Sequence, residues 1–196
     1  MLEQHKIQGM SLEDFMAKYE EQPFELIDGE MIPMGPLKHL HAQITKAFYD
    51  KLFLWTHFNP DVGKVYTEVP FVMEDRSNWV KGSRIPDVMF YRQDRLDDYY
   101  KSVENYDDKP FILAPDLVVE VISPTDLYTE VERKAEVYLE DGVKIVWVVD
   151  SQRKTVKELT AQNPDGITKR NDDVLSGGDV AEGFELKVSE IFVGSY

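Results

Sequence analysis

Two apolar runs constrain this chain more than any other feature. Leu117 to Ile122 reads L-V-V-E-V-I and Val143 to Val149 reads V-K-I-V-W-V-V. Runs this continuous are expected for strands covered on both faces, because a half-exposed strand alternates apolar and polar residues. Between them Leu127, Val131, Ala135, Tyr138 and Leu139 fall on one side of a helix predicted from about Asp126 to Asp141. Ser123-Pro124-Thr125 ends the first strand and Gly142 stops the helix.

The rest of the chain supplies further elements. Ser11 opens a Ser-x-x-acid start, and Leu12, Phe15, Met16 and Tyr19 recur at helical spacing to about residue 20. Phe24 to Ile27 and Glu30 to Met34 flank Asp28-Gly29, a dipeptide suited to the positive φ of a tight hairpin. From His39 to about Trp55, Leu40, Ile44, Ala47, Phe48, Leu52 and Trp55 form one stripe, which Asn59-Pro60-Asp61 terminates. Val62 to Val72 and Ile85 to Tyr91 read as paired strands joined by a polar segment, Glu74 to Ser83. Arg92 to Pro110 has no clean period and is expected to be a long surface loop. After Asp150 short strands alternate with turn signals at Asn163-Pro164-Asp165-Gly166 and Gly177-Gly178, with a last turn at Ser189 to Phe192. The expected fold is mixed α/β in a single domain over residues 1–196, a central mixed sheet flanked by helices, with an N-terminal hairpin and C-terminal antiparallel strands.

Two carboxylates stand out on these strands. In Ile85 to Tyr91 a period of two puts Asp87 with Ile85 and Met89, and in Leu117 to Ile122 it puts Glu120 with Val118 and Ile122. A carboxylate inside L-V-V-E-V-I loses hydration, so it must be protonated, paired with a cation or bound to a metal. Two hard oxygen ligands on neighbouring strands, with the Val121 carbonyl beside them, suit Mg²⁺ or Mn²⁺. Phosphoryl chemistry also calls for a cation, and Lys134, early in the following helix, is the candidate. The alternatives are an Asp87 that accepts bonds from its own turn and a Glu120 that forms a structural ion pair with Lys134. His39 and His41, two residues apart, diverge on a helix and do not make a local metal pair.

Several function classes lose their support. The chain carries 22 basic and 37 acidic side chains, a net charge of −15, which opposes nucleic acid and anionic membranes unless charge is segregated. Arg84, Arg92, Arg95, Lys101 and Lys109, near Asp87 in sequence, are the candidates for a compensating basic patch. With no cysteine there is no disulfide, thiolate nucleophile or sulfur-type zinc site, which fits a cytoplasmic setting. No targeting or membrane-spanning segment is expected. Phosphate-binding G-x-x-x-x-G-K-S/T, G-x-G-x-x-G and G-x-S-x-G patterns are all missing.

The segments R-I-P-D-V-M-F-Y at 84–91, P-D-L-V-V-E-V-I-S-P-T at 115–125, K-A-E-V-Y at 134–138 and G-V-K-I-V-W-V-V-D at 142–150 resemble the Uma2 family of putative restriction endonucleases, within the PD-(D/E)XK nuclease superfamily. F-E-L-I-D-G-E at 24–30, His41-x-x-Ile44 and G-F-E-L-K-V-S-E-I-F at 183–192 extend the match over nearly the whole chain. The resemblance implies a restriction-endonuclease-like core and a divalent-metal-dependent endonuclease, with DNA ahead of RNA as substrate. It implies Asp87 and Glu120 as metal ligands. The superfamily lysine two residues after the second acid is replaced by Ile122, and the family pattern moves that role to Lys134. The third acidic role stays open between Glu30, His41 and Glu68. A homodimer would present two sites to a duplex. The alternative is an inactive nuclease scaffold that serves as a binding or dimerisation module.

Overall fold

The computed structural model describes residues 9–36, 38–122 and 128–192, except the side chains of residues 75 and 128–130. In chain order the elements are β1 (Met10–Ser11), α1 (Leu12–Glu21), β2 (Phe24–Ile27), β3 (Glu30–Pro33), α2 (His39–Phe58), β4 (Gly63–Tyr66), β5 (Phe71–Arg76) and β6 (Trp79–Arg84). There follow β7 (Val88–Arg92), α3 (Gln93–Ser102), β8 (Leu117–Ile122), α4 (Tyr128–Glu140) and β9 (Ile145–Asp150). The tail adds β10 (Thr155–Thr160), β11 (Asn163–Arg170), β12 (Val174–Ser176) and β13 (Glu185–Lys187). They form two compact units.

The first unit comprises Met1–Pro36, Val69–Ile85 and Val103–Ala114. Its sheet runs β1-β6-β2-β3, with β5 also paired to β6. The Ser11 hydroxyl accepts from the Asp14 N–H at 3.0 Å and so caps α1. Helix α1 buries Leu12 and Phe15 against Phe24, Leu26, Val72 and Val80. Asp28 and Gly29 both adopt positive φ, 51° and 79°, which gives the expected hairpin between β2 and β3.

The second unit comprises Leu37–Glu68, Pro86–Ser102 and Pro115–Tyr196. Its six-stranded sheet has the order β11-β10-β9-β8-β7-β4. Strands β8 and β9 are parallel and every other pair is antiparallel, so the sheet is mixed as expected. One face packs Val88, Phe90, Val119, Val121, Trp147 and Val149 on Ile44, Phe48 and Leu52 of α2 and on the C-terminal Leu175, Phe184 and Leu186. The pleat sends Glu120, Ile122, Val148 and Asp150 to the opposite face, the side of α4. Both faces of β8 are therefore covered, as its apolar run required.

The structure corrects several local expectations. Val62 to Val72 is not one strand: Glu68 has φ 54° and Pro70 follows, so β4 and β5 separate. The segment 74–83 is no polar connection but most of a β5–β6 hairpin that turns at Asn78, φ 60°. Strand β7 starts at Val88 and pairs with β4 and β8. The predicted loop 92–110 contains α3, which buries only Leu96 and Tyr99, too few positions to reveal a period, and a 3₁₀ turn at Tyr106–Asp108. Asn163-Pro164-Asp165-Gly166 lies inside β11, an edge strand where proline does not break the sheet, and the turn precedes it. Ser123-Pro124-Thr125 and the predicted helix start at Asp126 lie outside the described residues. No described helix is long and apolar enough to cross a membrane.

Candidate active site

The geometry begins with a backbone conflict at the start of β7. Val88 faces Val119 across the antiparallel β7–β8 pair, so continued pairing would set residue 86 against Val121. Residue 86 is a proline without an N–H, and its carbonyl accepts instead from the Glu68 N–H at 3.2 Å. Asp87 takes over: its Oδ2 accepts the Val121 N–H at 2.7 Å. The other oxygen, Oδ1, lies 2.7 Å from His41 Nε2. An ionised carboxylate only accepts, so Nε2 carries the hydrogen of this bond. Asp87 thus sits at the bend before β7, not within a strand from Ile85, and ties the first turn of α2 to the β8 backbone.

Glu120 is held from the other side of the sheet. Lys134 Nζ stands 3.1 Å from Oε1 and 3.2 Å from Oε2, and the Tyr138 hydroxyl donates to Oε1. Lys134 and Tyr138 are one helical turn apart on α4, which presents them on one face. The ammonium also lies 5.9 Å from the centre of the Tyr138 ring, within cation–π range. The side chains of Asp87 and Glu120 are 9% and 13% exposed, so both are desolvated and both are answered by donors. Glu120 and the amide capped by Asp87 share one peptide unit, the Glu120–Val121 link. Asp87 and Glu120 therefore flank a single point of β8, with partners from α2 and α4 respectively.

Of the residues singled out in the sequence, Asp87, Glu120, Val121, Lys134 and His41 come together here. Glu68 is joined only through its backbone N–H to Pro86, and its side chain is exposed. Glu30 lies exposed on β3 of the first unit. Among the described residues no group of three or more His, Asp or Glu side chains is arranged to hold a metal ion. The donor set nevertheless suits Mg²⁺, which is commonly held by one or two carboxylates and keeps several waters, with substrate phosphate completing its sphere. Tyr138 was not singled out, because its place in the apolar stripe of α4 reads as core; its spacing of four from Lys134 in K-A-E-V-Y was the available signal.

The five cations named as candidates for a basic patch each have a partner. Arg84 is buried and donates to the Leu26 and Ser83 carbonyls. Arg92 pairs with Asp94, Arg95 with Asp116, and Lys101 with Asp98, while Lys109 donates to the Glu104 carbonyl. Three of the five, Arg92, Arg95 and Lys101, are thus paired with a carboxylate.

The solved structures include a close fold match, described as a putative nuclease belonging to DUF820 from Anabaena variabilis ATCC 29413. It has a TM-score of 0.76 and 19% sequence identity, and the match covers 93% of this chain and 97% of that one. Compared with curated proteins, the chain finds no match. A family model described as Uma2, putative restriction endonuclease, matches residues 12–189 and so includes every residue of the site. The chain belongs to the Uma2 family of putative restriction endonucleases.

Proposed function

We propose that this protein is a divalent-metal-dependent endonuclease that hydrolyses phosphodiester bonds in nucleic acid, with DNA the first substrate to test. The observation that carries this reading is the placement of two desolvated carboxylates, Asp87 and Glu120, on either side of the Glu120–Val121 peptide, with the Lys134 ammonium on one of them. Asp87, Glu120 and the Val121 carbonyl are the proposed ligands of Mg²⁺ or Mn²⁺. Bound there, the ion would polarise a phosphoryl oxygen and lower the pKa of an attacking water.

The chain's own groups have separate tasks in this reading. Asp87 is fixed by two bonds and offers the rigid ligand. Tyr138 holds the Glu120 carboxylate in orientation while Lys134 is released from it. The freed ammonium can orient the water and offset charge that develops on the phosphate, the work assigned elsewhere to a lysine two residues after the acid. Ile122 stands at that position here, and α4 supplies the cation instead.

The Lys134–Glu120 ion pair also favours a second reading, in which it is a closed structural bridge in a non-catalytic scaffold. Cleavage assays at low salt separate the two. Labelled single- and double-stranded DNA and RNA are incubated with Mg²⁺ or Mn²⁺, with a chelator blank, for the wild type and Glu120→Gln. The nuclease reading expects metal-dependent cutting that falls at least about 10³-fold in the variant, in line with loss of a preorganised electrostatic group. No cutting of any substrate, with no Mn²⁺ binding by calorimetry, would leave the scaffold reading.

A further inference from the structure

Beside Glu120, on the α4 face of the second unit, lies a cavity of about 350 Å³ that the proposed chemistry does not use. Its floor is apolar, with Ile122, Val148 and Leu159 from the sheet, and its rim carries Arg153, Lys157 and Arg170. Strand register explains this grouping. Glu120 faces Val148, Val148 faces Lys157 and Lys157 faces Thr168, which makes one row across β8, β9, β10 and β11. The neighbouring row runs Ile122, Asp150, Thr155 and Arg170. The cleft is thus a direct continuation of the Glu120 position along the sheet.

Its charge runs against that of the molecule. Three cations meet two carboxylates in the lining, Glu132 and Asp150, in a chain that carries −15 overall. Lys157 pairs with Glu132 at 2.9 Å and Arg153 with Asp150 at 3.4 Å. Among the described residues the exposed Arg170 guanidinium has no carboxylate partner. The acids are already matched, which disfavours a cation as the ligand, and the apolar floor exceeds what a bare anion needs. A phosphate with an organic body attached satisfies both rim and floor. Lys157 lies two strands from Glu120, about 10 Å across the sheet. That is about three nucleotides of rise along one strand of a duplex.

We infer that this cleft is a backbone site for the nucleic acid flanking the reactive phosphodiester, in which Arg153, Lys157 and Arg170 contact phosphates and the apolar floor receives sugar. The assignment deepens the nuclease reading and rests on it for the identity of the polymer.

The test measures anisotropy of labelled single- and double-stranded DNA and RNA 12-mers with chelator present, from 50 to 200 mM salt. It compares the wild type, the Arg153→Gln/Arg170→Gln double variant and Lys46→Gln, an exposed α2 substitution on a different element. The double variant should bind about tenfold more weakly at 50 mM, with a salt slope shallower by about 2, the loss of two phosphate contacts. With metal added, KM should rise and kcat hold, and Lys46→Gln should behave as wild type. Equal affinity and slope for the double variant would overturn the cleft assignment, even if the wild type cuts. The predicted loss of binding without any cutting by the wild type would keep the cleft and sink the nuclease reading. A wild type that binds no oligonucleotide would overturn the cleft assignment, and cutting with metal present then decides the nuclease reading on its own. Displacement by inorganic phosphate at concentrations equal to the oligonucleotide would overturn the polymer as ligand.

Discussion

Asp87 has a structural task separable from any chemistry, and Asp87→Ala measures it. The substitution removes the acceptor of the buried Val121 N–H and the partner of His41 Nε2, both at 2.7 Å. A buried donor left without a partner costs about 1–3 kcal/mol, and a bond to a charged group contributes about 1.5–3 kcal/mol. The two are not additive, since the His41 side chain is 15% exposed and water can answer it. A total near 3 kcal/mol is expected, and at about 2–4 °C per kcal/mol for a chain of this size the midpoint should fall by roughly 6–12 °C. Asp87→Asn keeps the shape: its carbonyl can accept from Val121 and its amide can face His41, whose ring must then present an acceptor nitrogen. That variant should cost about 1 kcal/mol, a fall of roughly 2–4 °C. Thermal unfolding followed by circular dichroism reads both. A midpoint for Asp87→Ala within 2 °C of wild type, or an equal loss in both variants, would refute the claim that Asp87 closes the β8 ladder.

Two further outcomes follow from the second unit. Gly63 has φ +153°, and a Cβ there would stand 2.0 Å from the Tyr91 carbonyl oxygen and 2.6 Å from the Phe90 ring, so Gly63→Ala should lose more than about 3 kcal/mol in urea unfolding or fail to fold. Burial raises the pKa of the Tyr66 phenol, which is also bonded to Tyr100, and burial raises that of Tyr91. A folded pKa above the unfolded value contributes stability that is complete below about pH 10 and is lost as pH rises toward the folded values. Urea midpoints should therefore hold from pH 8 to 9.5 and fall at pH 11, with a smaller fall in Tyr66→Phe; a flat profile would contradict the burial argument.

What could be read from the sequence follows burial. The β8 and β9 runs, the α2 stripe and the Asp28-Gly29 turn each carry a local signal of the physics that forms them, and each forms close to where it was expected. Helix α3 buries two residues in ten, and the β5–β6 hairpin mixes Glu, Asp, Arg and Lys with a few apolar positions, so neither has a period to detect. Both are stabilised by tertiary contacts that the local pattern does not encode. The site divides in the same way. Glu120 was conspicuous because a charge in an apolar strand demands a partner. Tyr138 was not, because a phenol that satisfies a carboxylate occupies the same helical position as one that fills a core. His41 was one of three candidates through the family resemblance, and what singles it out, its bond to Asp87, depends on α2 beginning beside the bend where Pro86 stops the ladder one residue before Asp87.

The charge of −15 does not by itself oppose a nuclease, provided the right quantity is compared. Tight binding of undistorted nucleic acid would stabilise the ground state along with the transition state and would not speed the chemical step. Several cations pair with carboxylates: Lys46 with Asp50, Lys51 with Glu190, Arg92 with Asp94 and Arg95 with Asp116. Lys134 differs in kind, because its partner is a proposed metal ligand, and recruitment of that ligand would weaken the ion pair and free the ammonium as charge develops on phosphate. A protein organised this way would show weak binding, a shallow salt slope and catalysis concentrated where Glu120, Lys134 and the adjoining cleft meet the backbone. General affinity for nucleic acid would then be a poor guide to its activity, and cutting with metal present the informative one.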